Sequence, residues 1–297
     1  MHVFVTGASG FIGSAVVPEI IAAGHEVVGL ARSDAAAAAI EAAGARVRRG
    51  TIEDLDGLRA AAAASDGVIH LAFNHDFSQF ANSAQTELHA IGAIGDAFEG
   101  SGRPLVIAAG VLGLVPGRVA TERDPLPPVA TGSSRSASAG AALALAERGV
   151  RSSVVRLAPS VHDETKRGFV GRLVDIARKE GVSGYVADGS NHWPAVHRLD
   201  AANLFRLALE QAPAGSVLHG VGDQGVPIRD IAGAIGRHLG VAAVSVPPED
   251  ASEYFGFLAP LLVIDSQASS AVTREVLGWQ PVHPGLIDDL DHGHWFD

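Results

Sequence analysis

The feature that most constrains this chain is the run Thr6-Gly7-Ala8-Ser9-Gly10-Phe11-Ile12-Gly13. It follows a short β-rich run, His2 to Thr6, and opens a stretch of helical spacing at Ser14 to Ala23. A strand that turns on glycine into a helix presents the helix N-terminus, with its free amides and positive dipole end, to a bound phosphate. In the spacing G-x-x-G-x-x-G each glycine has its own role. Gly7 allows the tight turn, Gly10 lets the backbone approach a pyrophosphate, and Gly13 permits close helix packing. The competing reading is an ordinary strand-turn-helix connection. The position of the run at the head of an alternating chain favours nucleotide binding, with Ser9, Phe11 and Ile12 counted beside the glycines as cofactor contacts.

Apolar runs and alanine-rich helical stretches alternate after this point. Strands are expected at Glu26 to Leu30, Arg46 to Arg48, Gly67 to Leu71, Pro104 to Ala109 and Ser152 to Leu157. Helices are expected between them at Asp34 to Ala43, Leu55 to Ala64, Asn82 to Phe98 and Ala137 to Arg148. The alternation predicts an α/β fold: a Rossmann-type, doubly wound parallel sheet covered by helices on both faces. Strands as uniformly apolar as VVGL and LVIAA fit burial on both sides. After Pro159 the rhythm loosens into helical stretches at Phe169 to Glu180, Ala201 to Gln211 and Ile228 to Leu239. Residues 1–160 are therefore expected to form the dinucleotide-binding core. Residues 161–297 are expected to form mainly a smaller substrate lobe, with some segments returning to the core.

Composition closes off other classes. Of 297 residues 47% are apolar and 19% charged, so the chain buries a core and is not globally disordered. There is no cysteine, which removes disulfides, thiolate metal sites and cysteine nucleophiles. Lys plus Arg number 22 and Asp plus Glu 33, and a net charge of −11 argues against a general nucleic-acid binder. The N-terminus lacks the pattern of a signal peptide, and no long uninterrupted apolar stretch suggests a membrane span. A cytoplasmic protein without membrane or nucleic-acid partners is the expectation.

The end of the second strand bears on the cofactor. A site for NAD(H) places Asp or Glu there for the ribose diol, whereas this chain reads Leu30-Ala31-Arg32-Ser33. Arg32 is suited to pair with a 2′-phosphate and Ser33 to donate a hydrogen bond to it, so NADP(H) is favoured over NAD(H). The alternative for Arg32 is a solvated arginine on a turn.

In this order, TGASGFIG, LARS, GTIEDLDGL and VIHLAF resemble the extended and atypical short-chain dehydrogenase/reductases, the superfamily labelled NAD-dependent epimerase/dehydratase. RSSVVRLAPSVH and WPAVHRLDAANLFRLAL extend the resemblance over nearly the whole chain. The resemblance implies that Thr51 and Ile52 lie by the adenine, where the family usually has Asp in place of Thr51. It also implies that Leu71, Ala72 and Phe73 line the ribose and diphosphate. Pro159, Ser160, Val161 and His162 would face the nicotinamide, with Ala109 among the cofactor contacts and Val111 on the substrate side.

The catalytic part departs from that pattern. The superfamily uses Ser or Thr after the fifth strand and Tyr-x-x-x-Lys on the next helix. Here the strand ends Ile107-Ala108-Ala109-Gly110, and the two tyrosines, Tyr185 and Tyr254, are followed four residues on by Gly189 and Leu258. By alignment Arg135 stands at the tyrosine position and Ala139 at the lysine position, as in an atypical subgroup with arginine in place of that tyrosine.

Arg135 is cationic and suited to polarise a carbonyl, to bind an acidic substrate, or to replace the lysine as a phosphate or ribose contact. His75 and His162 titrate near neutrality and are the other catalytic candidates. His75, His192 and Trp193 are candidate substrate contacts, and a loop histidine bonded to backbone or water is the bland account of each histidine. Asp200 is expected to cap the helix that follows it. No spacing among the 13 histidines marks a metal site, so none is expected.

Three functions follow. The first is an NADP(H)-dependent oxidoreductase reducing a small carbonyl or imine-like substrate without the usual Tyr and Lys. The second is a catalytically silent NADP-binding sensor, and the third is an epimerase or dehydratase. The small-residue helices at Asn82 to Phe98 and Ala137 to Arg148 suit either a monomer or a homodimer.

Overall fold

The computed structural model describes residues 1–74, 79–126 and 135–296. The first half runs β1 (His2–Thr6), α1 (Gly13–Ala22), β2 (Glu26–Ala31), α2 (Asp34–Ala42), β3 (Arg46–Arg49), α3 (Leu55–Ala63), β4 (Gly67–His70), α4 (Phe80–Phe98), β5 (Pro104–Gly110), β6 (Val119–Ala120), α5 (Arg135–Ala144) and β7 (Arg151–Leu157). The second half runs β8 (Ser160–His162), α6 (Gly168–Glu180), β9 (Ser183–Val186), β10 (His192–His197), α7 (Arg198–Gln211), β11 (Ser216–Gly220), β12 (Asp223–Pro227), α8 (Ile228–Leu239), β13 (Ala243–Val246), α9 (Ala251–Phe255), α10 (Ala259–Leu262), β14 (Gln267–Ala268), α11 (Ala271–Leu277) and α12 (Leu286–Asp291).

Seven parallel strands form the main sheet in the order β11-β7-β5-β4-β1-β2-β3. The chain crosses from one side of β1 to the other between β3 and β4, which opens a crevice at the carboxyl ends of β1 and β4. Side chains of β1 alternate between the two faces. Val3 and Val5 pack with Val16, Val17, Ile20, Ile40, Leu204 and Phe205, from α1, α2 and α7. Phe4 packs with Leu58, Ile91, Ile94 and Phe98, from α3 and α4. The helices begin where side chains replace missing backbone acceptors: the Ala36 amide donates to Ser33 Oγ ahead of α2, and the Gly57 amide donates to Asp54 Oδ1 ahead of α3.

The second half of the chain divides. α7 and β11 join the main sheet and its core, whereas α6, α8, α9 and α12 enclose a second core around Trp193, Ile231, Ile235, Phe255 and Trp295. Three small sheets support this lobe: β12-β10-β8, β13-β9 and β14-β6. Among the described residues no helix is long and apolar enough to cross a membrane.

Candidate active site

At the mouth of the crevice the glycine turn is fixed by sterics. Gly7 has φ +69°, and a Cβ there would meet Ala72 N at 2.7 Å. A Cβ on Gly13 would lie 2.1 Å from the Gly7 carbonyl oxygen, which no rearrangement of a side chain relieves. The Gly10 amide donates to Gly7 O at 2.9 Å and the Ser14 amide to Gly10 O at 2.9 Å. Among the described residues the amides of Phe11 and Ile12 find no acceptor, and no side chain caps α1. The result is an anion cradle of main-chain N–H groups at a helix N-terminus.

The turn is braced from the far half of the chain. Arg198, the first residue of α7, donates to Phe11 O (3.1 Å) and Ser14 Oγ (2.9 Å), and its Nε is paired with Asp163 just past β8. The Phe11 ring lies between the Arg167 and Arg198 guanidinium groups and under Gly168. Val161 O also approaches Gly168, so the turn and the segment after β8 are brought together. Neither Arg198 nor Asp163 is conspicuous in the sequence, because 35 residues separate them and nothing local pairs them.

At the carboxyl end of β2, Arg32 is exposed and makes no hydrogen bond or ion pair among the described residues. Arg48 and Arg49 of β3 stand in register with Leu30 and Ala31, and Arg49 pairs with Asp34. Ser33 sits beside them, its oxygen occupied as the cap of α2. Thr51 is exposed on the following turn, and Ile52 packs on the core beside it.

Across the crevice the end of β4 carries a buried network. Thr6 Oγ1 and His70 Nδ1 share a 2.9 Å hydrogen bond, and the Ala72 amide donates to Thr6 Oγ1. Burial pushes the His70 pKa down to about 4; the nearby Glu87 carboxylate opposes this shift and Arg135 adds to it. His70 is therefore neutral near pH 7, and its Nε2 is buried without a partner among the described residues.

Arg135 opens the described part of α5 and reaches into this network. Its Nη2 donates to Glu87 Oε1 (2.7 Å) and to Ala108 O (2.8 Å), and its Nε donates to Glu87 Oε2 (3.3 Å). The guanidinium lies 4.2 Å from the Phe73 ring centre. Glu87 is 2% exposed on the buried stripe of α4. This partner was missed in the sequence, although a lone carboxylate in the stripe Ser83, Ala84, Glu87, Ala90, Ile91 is the signal that marks it. At the lysine position Ala139 is buried in the core, so the space a lysine would take is packed.

Ala109 follows Ala108, whose carbonyl accepts from Arg135, near the end of β5; after β4, Leu71 and Ala72 lie against Gly7 and Phe73 lies under Arg135, so the structure groups these residues with the glycine turn and Arg135. Pro159 is half-buried and Ser160 fully buried in the segment after β7. Val111 has no exposure; its amide donates to Leu157 O and its side chain packs in the main core. His75 lies outside the described residues.

Other expectations need correction. His162 is fully buried, with Nδ1 bonded to Asp289 of α12 at 2.8 Å and its ring edge-on to His197. It belongs to the interior of the lobe. Trp193 is also fully buried, tilted against Phe169 in the second core, where packing alone accounts for it. His192 receives no such burial; Asp265 accepts its backbone amide and lies 3.0 Å from its Nδ1. Asp200 does not cap α7. That helix begins three residues earlier, with the Leu199 amide donating to His197 Nδ1, and Asp200 instead accepts from the amides of Val282 and His283.

A family model for the NAD dependent epimerase/dehydratase family matches residues 3–95. An uncharacterized protein of Schizosaccharomyces pombe is 46% identical over 100% of both chains. An uncharacterized protein of Saccharomyces cerevisiae is 47% identical over 98% of both. Among solved structures, a dTDP-glucose 4,6-dehydratase double mutant from Streptomyces venezuelae with NAD bound has a TM-score of 0.78 at 22% identity, covering 100% of this chain and 97% of that one. A UDP-glucose 4-epimerase from Thermotoga maritima with UDP-glucose has a TM-score of 0.80 at 20% identity, covering 99% and 97%. These structural likenesses establish the shared fold.

Proposed function

Since the chain belongs to the NAD-dependent epimerase/dehydratase family, we propose that it is a nicotinamide-dinucleotide oxidoreductase, preferring NADP(H), that reduces a small carbonyl or imine-like substrate. The observation that carries this reading is the cradle of amides at Phe11 and Ile12, unpaired among the described residues, on a turn so tight that a Cβ at Gly7 or Gly13 would strike backbone atoms. The free guanidinium of Arg32 and the absence of a carboxylate at Ala31 support the choice of NADP(H).

The bound nicotinamide supplies the hydride. The chain's own part is to hold the diphosphate on the glycine turn, to hold a 2′-phosphate at Arg32, and to fix a positive charge beside the substrate oxygen. Arg135 suits the last of these. Glu87 and Ala108 O occupy Nε and Nη2, which leaves Nη1 to donate to a carbonyl oxygen as it gains negative charge. A guanidinium does not give up a proton in proteins, so water must supply the one that completes the reduction.

The test is calorimetry with NADPH and NADH on the native protein and an Arg32→Ala variant. Native protein is expected to bind NADPH more tightly. Loss of a charged hydrogen-bond partner, about 1.5–3 kcal/mol, predicts a roughly 10- to 100-fold weaker NADPH complex with NADH unaffected. Equal loss for both nucleotides, or no binding of either, overturns the cofactor assignment.

The dehydratase and epimerase among the structural neighbours favour a second reading, in which the cofactor is reduced and reoxidised within one turnover. Net NADPH consumption with a panel of carbonyl compounds supports the reductase. Product formation without net consumption supports the epimerase or dehydratase, and tight binding with neither supports a sensor.

A further inference from the structure

The C-terminal lobe contains a second polar cleft of about 240 Å³, with no lining residue from the glycine turn or the Arg135–Glu87 pair. His162, His197, His283, Asp200, Asp223 and Arg274 supply its polar wall. They come from the ends of β8 and β10, the first turn of α7, the start of β12, and the segment from α11 onward.

Three observations bear on what this cleft would take. First, His197, Asp200 and His283 each offer one ligand atom, all within 4.8 Å of one another. Second, His162 is fully buried in the same wall, and with Nδ1 committed to Asp289 its Nε2 has no partner among the described residues. Third, carboxylates outnumber cations: Asp200, Asp223 and Asp289 surround the imidazoles, against one guanidinium, Arg274.

Two of the imidazoles already have a carboxylate beside them. Asp200 Oδ1 lies 2.8 Å from His283 Nδ1, and Asp289 Oδ2 lies 2.8 Å from His162 Nδ1. The Asp289 carboxylate orients the His162 ring, while Asp200 and His283 stand side by side as two of the ligands.

We propose that this cleft binds one divalent transition-metal ion of the zinc, cobalt or nickel type through His197, Asp200 and His283, with a metal-bound water donating to His162 Nε2. Mixed nitrogen and oxygen ligands with no sulfur select this class of ion over calcium and magnesium. The ion takes the place of the proton between His283 Nδ1 and Asp200, and in a neutral ring that proton moves to Nε2. In this structure the His197 and His283 rings stack 4.5 Å apart and 9° from parallel. A shared ion must lie near the plane of both rings. The His283 ring, 35% exposed on its loop, therefore swings out of the stack as the ion enters. The bound ion would pin the segment after Trp279 to the start of α7.

The experiment titrates chelator-treated, full-length protein with Co²⁺ and with Zn²⁺. Expected are one ion per chain by calorimetry, a higher Tm, and visible cobalt absorption of low coordination number. His283→Ala is expected to weaken binding about 100-fold or more, since even a residue behind a ligand is worth about 10–100-fold. His292→Ala, outside the cleft, is expected to change nothing. Should the alanine variant fail to fold, His283→Gln keeps a donor to Asp200 and still lacks the imidazole. Absence of heat and of a Tm shift with both ions, or binding that survives loss of His283, overturns the proposal. Both readouts are independent of nucleotide binding and turnover.

Discussion

Arg135 of α5 and Glu87 of α4 form a largely buried ion pair. Removing one member of a buried pair leaves the other charged and desolvated. Arg135 retains 21% side-chain exposure, which discounts the usual cost to about 2–3 kcal/mol for Arg135→Met. The double variant Arg135→Met, Glu87→Leu is expected to recover most of that loss, because two apolar groups then replace both charges. Urea denaturation of the two variants measures the difference, and a double variant no more stable than the single one contradicts this account. Arg135 was legible because a motif position pointed to it. Glu87 was not, since the two stand 48 positions apart and nothing between them signals their pairing.

At the scale of elements, the strand-turn-helix at the N-terminus is local and was read correctly from spacing alone. Its prediction is steric: Gly13→Ala sets a methyl against Gly7 O and is expected to cost about 3 kcal/mol, with loss of nucleotide binding. Thermal melts and nucleotide titration check it; unchanged melting and binding contradict it. The main helices lie within three residues of their expected ends, except that α5 stops at Ala144 and Leu145–Arg148 tightens into a 3-10 turn, because alanine runs, caps and apolar spacing are also local. The lobe's strands were missed for the opposite reason. They span two to six residues and owe their existence to distant partners. In β10, Pro194 argues against a strand, and the register with β12 shifts between Trp193 and Ala195, which is how the sheet tolerates it.

For the whole molecule, stability should have a steep acid limb. His70 and His197 are held neutral with pKa values of about 4, against an ordinary 6.5. Below about 6.5 the unfolded chain binds protons that the folded chain refuses. Stability is therefore complete above that pH and falls as the pH drops toward 4. The fully buried His70 contributes up to about 3 kcal/mol to the fall, and His197, 9% exposed, somewhat less. Urea midpoints at about pH 7 and about pH 5 check this. A His70→Asn, His197→Asn variant should lose much of the slope, and an unchanged slope would assign the acid limb to other groups.

The guanidinium that steadies the glycine turn comes from residue 198, nearly two hundred positions after the turn it supports. The first half of the chain is therefore not a detachable module. Cut before α7, it would keep every glycine of its signature and lose the clamp holding that signature in shape. Grafting this nucleotide grip onto another scaffold would require carrying the opening of α7 and Asp163 along with it.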